Sequence, residues 1–346
     1  MGSGYFNTSY KQDIRIYRTL WANVWMGVFA LFLCLCPFLA GEYILYLVSF
    51  TGIAIIGAIG MNILTGFTGQ ISLAQGAFIG IGAYASAFLT SAGVPFVIAL
   101  PSAGLIAAAG GIMLGFPSLR LKGLYLIMST MAFEVIMEYV FIHWIDVTGG
   151  SEGVTVLPAK LGPIVFDNDR SFYFLVMAVT VLTVITAKNI VRSRTGRAFV
   201  AIRDRDIAAE LIGVNLTKYK LIAFATSSFY AGIAGALYGC SVITINPEHF
   251  TMLISIEYVA MIIIGGMGSI LGSIYGAMFM TLMPEFLRFL TAPLAENSTV
   301  FLERFAEIKF FMIGLAIVLF LVFESGGLNS IWNKTKLFFK RWPYTY

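Results

Sequence analysis

Charged residues are scarce in this chain of 346 residues: they make up 12% of it, whereas hydrophobic residues make up 59%. A soluble domain of this length carries about twice that charge fraction. The scarcity excludes an ordinary soluble protein, and the long apolar runs between Leu20 and Phe323 predict an all-α polytopic membrane protein. These runs are continuous rather than alternating, which argues against a transmembrane β-barrel.

Residues that bind metals or form disulfides are equally few. The three cysteines, Cys34, Cys36 and Cys240, lie in apolar runs, so the sequence predicts buried packing residues and no disulfide framework. The two histidines, His143 and His249, lie near predicted span ends without a cysteine partner, which argues against a metal site.

Catalytic signatures are missing from the sequence as well. There is no Walker A sequence, so we do not expect this chain to hydrolyse ATP itself. H-E-x-x-H does not occur either. The sequence therefore predicts a non-catalytic subunit without catalytic residues, metal ligands or a cofactor of its own, and an intramembrane enzyme is the disfavoured alternative. A cleavable signal is not expected, because the first 19 residues are polar and the following apolar run is long enough to span.

The apolar runs predict ten membrane spans, with a count uncertain by one or two. The spans lie near 20–40, 43–64, 76–92, 95–115, 124–143, 171–188, 220–242, 253–264, 266–287 and 309–323. The eighth is shorter than the roughly 20 residues that a bilayer crossing needs, so it either continues into the ninth or is a broken helix. We expect one transmembrane domain over 1–346, with a cytoplasmic arm over 1–19, a cytoplasmic loop over 189–219 and a cytoplasmic tail over 324–346.

The distribution of Lys and Arg predicts the orientation of these spans. Ten spans with a cytoplasmic N-terminus place 17 of the 22 basic residues inside and 5 outside. The outer five are Lys160, Arg170, Arg288, Arg304 and Lys309. We therefore expect a multi-pass membrane protein with both termini cytoplasmic, and a tail that anchors at the lipid interface through Trp332, Trp342 and basic residues. The outer loops are expected at 144–170 and 288–308.

Residues 192–220 form the one long, strongly basic segment between the spans. Within it, 203–213 predicts a short amphipathic helix with Asp206 as its N-cap and Gly213 after its C-terminus. Ile207, Leu211 and Val214 share one face of this helix. A soluble protein that drives movement of the membrane part can bind such a helix. The residues of this predicted coupling surface are Arg203, Asp204, Arg205, Asp206, Ile207, Ala208, Ala209, Glu210, Leu211 and Gly213.

A glycine-rich stretch over 60–84 predicts a helix break at membrane depth, at Gly66 and Gly69. Irregular backbone at this depth persists only where it is buried in protein or lines a cavity, and discontinuous helices often form transport sites. The alternative is a glycine-rich face for close helix packing. The candidate translocation-path residues are Asn62, Gln70, Ser72, Gln75, Thr130 and Glu134.

Two further features bear on this path. In 265–277, glycines at 268, 272 and 276 stand four apart, which favours tight helix packing. Gly66 and Gly69 align with Gly265 and Gly268, which is consistent with an internal repeat. Glu134, Glu138 and Glu257 lie in predicted spans, where acids are costly and usually functional or paired. Glu134 faces the path or bonds a neighbouring helix, while Glu138 is close to the outer end.

These stretches together resemble the permease subunit of branched-chain amino-acid ABC transporters of the LivM type, over roughly 45–330. The resemblance rests on NILTGFTGQISLAQGAFIGIGAY, on LKGLYLIMSTMAFEVI with WIDVTGGSEGV, on AIRDRDIAAELIGVNLTKYKLIAFATSSFYAGIAGALYG and on IIIGGMGSILGSIYGA. It implies an importer permease of the bacterial inner membrane with the ten-helix fold of the vitamin B12 importers. The implied partners are a second permease of the LivH type, two ATPases that bind ATP and Mg, a periplasmic solute-binding protein and membrane lipid, with no nucleic acid. The 203–213 helix then corresponds to the coupling helix.

The chain departs from the family pattern at three positions. Ala74-Gln75 replaces a common Gly-His, Met137 stands where an Arg is common, and Ser273 stands where a Pro is common. Relatives of this family also import urea, short amides and other small solutes. The solute therefore stays open between a branched-chain amino acid and these others. An ion-coupled secondary transporter that acts alone, with Glu134 and Glu138 as a proton site, is the alternative from another class.

Overall fold

The structure is a computed structural model that describes residues 33–161, 164–166, 168–295, 305–324 and 326–341. The chain is almost entirely α-helical in these ranges. The helices are α1 over 33–39, α2 Glu42–Asn62, α3 Gln75–Ser91, α4 Phe96–Ser118, α5 Leu124–His143, α6 Ile145–Thr148, α7 Asp169–Arg192, α8 Arg194–Asp204, α9 Asp206–Leu211, α10 Leu216–Val242, α11 Met252–Gly265, α12 Ile270–Ala295, α13 Phe305–Phe323 and α14 Gly327–Arg341. The strands are β1 Val154–Thr155, β2 Lys160–Leu161, β3 Ile164–Val165 and β4 Thr244–Ile245.

Seven helices in the described part of the chain are long and apolar enough to cross a membrane, and an eighth is added if the bent pair α13 and α14 counts as one span. These helices confirm the prediction of a polytopic α-helical membrane protein. The predicted third span is α3, which has only 17 residues and follows a break in the chain. The predicted first span lies largely outside the described residues. The predicted eighth and ninth spans are separate helices, because the chain breaks over 266–269.

Helix α10 is the centre of the bundle and packs against α2, α3 and α4. Small residues allow this close approach, as is usual where helices pack inside a membrane. Gly60 of α2 lies against the Ser227 carbonyl, and a Cβ built at Gly60 would be 2.8 Å from that oxygen. Gly82 of α3 faces Gly232, and Gly235 lies against the Ile79 carbonyl. The core is therefore set by backbone-to-backbone contacts as much as by large side chains.

The glycines of the second glycine-rich stretch also pack, as their spacing predicts. Gly272 and Gly276 of α12 lie against the backbone at the end of α11, where a Cβ would meet the Gly266 or Met261 carbonyl. Gly268 differs, because it lies in the break before α12 with a φ of 76°. Of the three glycines that stand four apart in the sequence, two therefore pack against α11 and one lies at a turn.

The described residues between α5 and α7 form short helical turns and paired strands. β1 pairs antiparallel with β4, which joins the segment after α5 to the segment after α10. Gly149, Gly150 and Gly153 all have positive φ, so the glycines of this segment form its turns. The predicted outer loop over 288–308 is wrong at both ends, because α12 continues to Ala295 and α13 begins at Phe305; residues 296–304 lie outside the described range.

None of the three cysteines is fully buried within this chain, contrary to the prediction. Cys34 is exposed, and Cys36 and Cys240 are partly buried. All three are free thiols. The tail forms the amphipathic helix α14, in which Trp332 is exposed and Lys334 donates to Glu324 across the bend from α13. Trp342 lies outside the described residues.

Gly235→Val should destabilise the bundle, because its side chain would meet the Ile79 carbonyl of α3. Overpacking of this kind typically costs about 1–3 kcal/mol. We expect a lower unfolding temperature of the detergent-extracted protein. Gly314→Val is the matched control, because a Cβ at Gly314 meets nothing within 4 Å. Equal unfolding temperatures for the two variants would show that the α3–α10 contact is not close.

Candidate functional site

The glycine-rich stretch after α2 is a break between two helices, as predicted. A π-helical turn, Ile63–Phe67, continues α2, and the chain is then irregular until α3 begins at Gln75. Gly69 has a φ of 74°, a left-handed conformation that favours glycine. Thr68 Oγ1 donates to the Ile63 carbonyl of this turn at 3.0 Å. π-helical turns occur often at functional sites.

Two side chains of α5 hold the start of α3. Glu134 is the eleventh of the 20 residues of α5, is fully buried, and accepts a hydrogen bond from Ala77 N–H through Oε2 at 2.9 Å. Thr130 Oγ1 accepts from Leu73 N–H at 3.0 Å. A carboxylate at a helix N-terminus is favoured by the unpaired N–H groups and by the helix dipole. Since Glu134 lies midway along α5, α3 begins near mid-depth of the bundle.

Ser255 of α11 completes this arrangement. Its Oγ accepts from Gly76 N–H at 2.8 Å and lies 3.3 Å from Glu134 Oε2, to which it donates. The other oxygen, Glu134 Oε1, has no hydrogen-bond partner among the described residues and faces Gly76, where a Cβ would clash with it. The start of α3 is thus enclosed by α5 and α11, and Glu134 bonds a neighbouring helix, one of the two roles left open by the sequence.

Asn62 joins the first break to the second. Its Nδ2 donates to the Ser269 carbonyl at 2.8 Å and to Ser273 Oγ at 2.7 Å, and its Oδ1 accepts from Gly268 N–H at 2.8 Å. Asn62 is at the end of α2, while its partners lie in and after the break at 266–269. The two glycine-rich stretches therefore meet in space. Gly69 and Gly268, which align in sequence, share nearly the same φ.

All six candidate path residues are buried within this chain. Their exposed fractions are 1% for Asn62, 6% for Gln70, 2% for Ser72, 2% for Gln75 and zero for Thr130 and Glu134. Gln75 Nε2 donates to the Gly57 carbonyl, and Ser72 Oγ accepts from Ala74 N–H. Gly69 and Ile71 are the exposed residues of the break. A role of the six in the path stays a prediction.

Ser255, Ser269 and Ser273 were not predicted to belong to this site. Each is a serine within an apolar or glycine-rich stretch. The position of a hydroxyl group in such a stretch is the signal that could have identified it from the sequence. The structure adds them because α11 packs against α2 and α3, and α12 packs against α2, on either side of the break.

A small cavity of about 60 Å³ lies beside the site, between α2, α10 and α11. None of the six candidate path residues lines it. Its lining is aromatic and aliphatic and includes two residues noted in the sequence, His249 and Glu257. His249 is held by a reciprocal cap with Asn246 at the turn before α11. No cluster of three or more possible metal ligands occurs among the described residues.

The predicted coupling surface consists of two helices, α8 and α9, joined at Arg205 in an extended conformation. Asp206 is the first residue of α9 rather than its N-cap. Gly213 follows the helix with a φ of 90°, and Val214 N–H donates to the Ala209 carbonyl, so the predicted C-terminal glycine is confirmed. Apolar side chains are exposed here: Ile207 is 69% exposed, Leu211 84% and Ile212 77%.

Two residues of the predicted coupling surface face their own chain. Ala209 is 2% exposed, so its methyl group packs inside this protein and is not accessible to a partner. Arg203 directs its Nη1 inward and donates to the Gly66 carbonyl at 3.1 Å. The sequence pattern identified a short helix but did not show which of its sides faces the rest of the protein. Both residues were therefore assigned to the outer surface. Ala208 is exposed, as predicted.

An ion pair joins α9 to the turn before α5. Lys122 Nζ contacts the Asp206 carboxylate, and its hydrogen bond lowers the pKa of Asp206 below its ordinary value of 3.8. Because this pKa is lowered on folding, the contact is present at neutral pH and is lost as the pH falls through the lowered value. Lys122 is well exposed, so the pair contributes about 0–1 kcal/mol and orients α9 more than it stabilises the protein.

The structure is thus a polytopic helical membrane protein with broken helices, an arrangement that many membrane transport proteins use. The chain belongs to the family of the branched-chain amino acid transport system permease component, whose family model matches residues 43–321. It is 31% identical over 317 residues to the high-affinity branched-chain amino acid transport system permease protein LivM of Salmonella typhimurium and to that of Escherichia coli. Each alignment covers 84% of this chain and 71% of the relative. No solved structure matches the chain.

Replacing Glu134 tests its part in this site. Glu134→Leu removes the acceptor for Ala77 N–H and leaves a buried donor unpaired, which costs about 1–3 kcal/mol. Glu134→Gln keeps an oxygen acceptor and is the matched control. We expect the unfolding temperature to fall for Glu134→Leu and to stay close to the original for Glu134→Gln. If both variants remain stable but transport stops only in Glu134→Leu, Glu134 acts in the path and not as a cap.

Proposed function

We propose that this chain is the membrane-spanning permease subunit of an ATP-driven importer and forms half of its translocation path. The observation that carries this proposal is the exposed apolar surface of α9, formed by Ile207, Leu211 and Ile212 beside charged residues. A helix of six residues with such side chains in water is unfavourable unless a partner covers it. In this family of permeases, an ATPase subunit is the partner expected there.

The topology that we propose has ten spans, with both termini in the cytoplasm and the chain in the bacterial inner membrane. The Lys and Arg distribution supports this topology, because the topology places the basic residues around α9 on the cytoplasmic side. The whole chain, 1–346, would form one transmembrane domain with the ten-helix fold of the vitamin B12 importers. The breaks before α3 and α12 fit this proposal, since broken helices are common in transporters.

The proposed complex contains a second permease of the LivH type, two ATPases that bind ATP and Mg, and a periplasmic solute-binding protein. The exposed residues Gly69 and Ile71 support a permease partner, because they form the one edge of the first break that this chain leaves uncovered among the described residues. We propose that the path runs along this edge, between the two permeases. The buried residues Asn62, Gln70 and Glu134 would then support the backbone that lines the path without lining it themselves.

The proposed solute is a branched-chain amino acid or a similar small polar solute. The names of both LivM relatives support a branched-chain amino acid. Urea or a short amide is the alternative within the family, and the unusual Ala74-Gln75 pair lies at the start of α3, where such a change would alter polar chemistry. An ion-coupled transporter that acts alone remains the alternative from another class.

Reconstitution separates these alternatives. The complex purified through a tag on this chain is placed in proteoliposomes with ATP inside and loaded binding protein outside. We expect ATP-dependent accumulation of labelled leucine, isoleucine or valine. Accumulation of urea or an amide instead would change the solute. If this chain alone accumulates solute under an ion gradient, it is not an importer subunit.

Ala208→Trp tests the ATPase contact. Ala208 is exposed at the centre of α9, so a large side chain there would overfill the cleft of a docked ATPase at a cost of about 1–3 kcal/mol. We expect ATP hydrolysis that no longer responds to loaded binding protein, while the permease stays inserted and folded. Thr217→Trp, at an exposed position outside α9, is the control. Unchanged hydrolysis and uptake in Ala208→Trp would move the contact to another loop, such as 116–123.

A further inference from the structure

Arg203 is the charged residue of the predicted coupling surface that reaches from α8 to the first helix break. It is the second-last residue of α8 and lies three positions before the first residue of α9, close to the point where the chain turns from one helix to the other. Its Nη1 donates to the Gly66 carbonyl of the π-helical turn, which is 137 residues away in sequence. Its Nε and Nη2 donate to Asp204 Oδ1 at 3.2 and 3.1 Å. The guanidinium therefore bridges the α8–α9 junction and the first helix break.

The side chain of Arg203 lies between two glycines. A Cβ at Gly69 would be 3.1 Å from Arg203 Cγ, and a Cβ at Gly268 would be 2.7 Å from its Nη1. Both glycines have left-handed φ values, 74° and 76°, and they occupy aligned positions in the two glycine-rich stretches. We call the space between Gly69 and Gly268 the glycine slot. It can hold the Arg203 side chain because neither residue has a side chain of its own there.

The contacts of Arg203 suit arginine in particular. A guanidinium has five N–H donors in a planar fork, so it can serve the Gly66 carbonyl and the Asp204 carboxylate at the same time. A lysine ammonium is a compact point charge on a flexible stem and does not reproduce that fork. The inner contact is also the weaker of the two, since its acceptor is a neutral carbonyl and not a carboxylate. Such a link can change when α9 moves.

We propose that Arg203 is a positioning residue for transport, which carries movement of the α8–α9 junction to the two helix breaks. The proposal rests on the proposed function, in which an ATPase moves α9. When α9 shifts, Arg203 pulls on the Gly66 carbonyl and on the glycine slot. Asn62 extends the effect from the first break to the second, because it bonds Gly268 and Ser273. One side chain therefore connects the ATPase contact with both broken spans.

The test compares Arg203→Gln and Arg203→Lys with Arg194→Gln in the whole importer complex. Arg194 is exposed at the start of the same helix, so its substitution removes the same charge without touching a break. For Arg203→Gln we expect ATPases to copurify as before and basal hydrolysis to persist, while uptake falls by about tenfold or more, within the usual range of coupling between sites. Arg203→Lys should restore part of the uptake, and Arg194→Gln should equal the original protein.

A labelling measurement separates positioning from a structural role. Ile71 is 44% exposed at the first break, so a cysteine there reports on its movement. In a protein without Cys34, Cys36 and Cys240, the rate at which Ile71→Cys reacts with a maleimide should change when a non-hydrolysable ATP analogue is added. With Arg203→Gln, the rate should stay the same with and without the analogue.

The outcomes are decisive in either direction. The proposal is overturned if the labelling change persists with Arg203→Gln, if it is absent from the original protein, or if uptake is normal. It is also overturned if Arg203→Gln releases the ATPases, because Arg203 then belongs to the docking contact. The Ala208→Trp variant tests the proposed function separately from the role of Arg203. If Ala208→Trp blocks coupling while Arg203→Gln does not, α9 is the ATPase contact and Arg203 is not the link.

Discussion

Backbone polar groups at a helix break cannot stay unpaired at membrane depth, and this constraint determines the rest of the structure. The start of α3 leaves N–H groups open, and side chains of other helices pair with them: Thr130 and Glu134 from α5 and Ser255 from α11. Asn62 of α2 does the same for the second break. Because each partner comes from another helix, satisfying the breaks also fixes how these helices sit against one another.

Close packing follows from the same constraint. A short side chain such as Ser255 reaches a backbone N–H only if the helices approach closely, and glycine and alanine permit that approach. Single hydrogen bonds between membrane helices contribute little, about 0.6 kcal/mol on average, whereas an unpaired buried group costs about 1–3 kcal/mol. The network therefore specifies one arrangement mainly by penalising the others, and the glycines at α10 are as necessary as the polar side chains.

Local sequence patterns predicted the class of fold, the break at Gly69 and the helix end at Gly213, because each depends on hydropathy or on a backbone conformation that glycine favours. The partners of the break could not be predicted in this way. Glu134 is 57 residues from Ala77, and Asn62 is 206 residues from Gly268, so only the tertiary fold brings them together. Amphipathicity likewise identified the α9 region but could not show that Ala209 and Arg203 face inward.

The two sides of the first break are held unequally, which bears on how it can move. On the α3 side, three backbone N–H groups are bound by side chains of α5 and α11, and one of these is a buried carboxylate. The π-helical side is bonded through the Gly66 carbonyl to Arg203, whose side chain is 39% exposed, while the hydrogen bonds of Asn62 go to the second break. π-helical turns are short and rare, and a hydrogen bond near water is easier to exchange than a buried one. If Arg203 couples the α8–α9 junction to the break as we propose, a displacement there should shift the end of α2 before it disturbs α3, so that α3 is the fixed side of the movement.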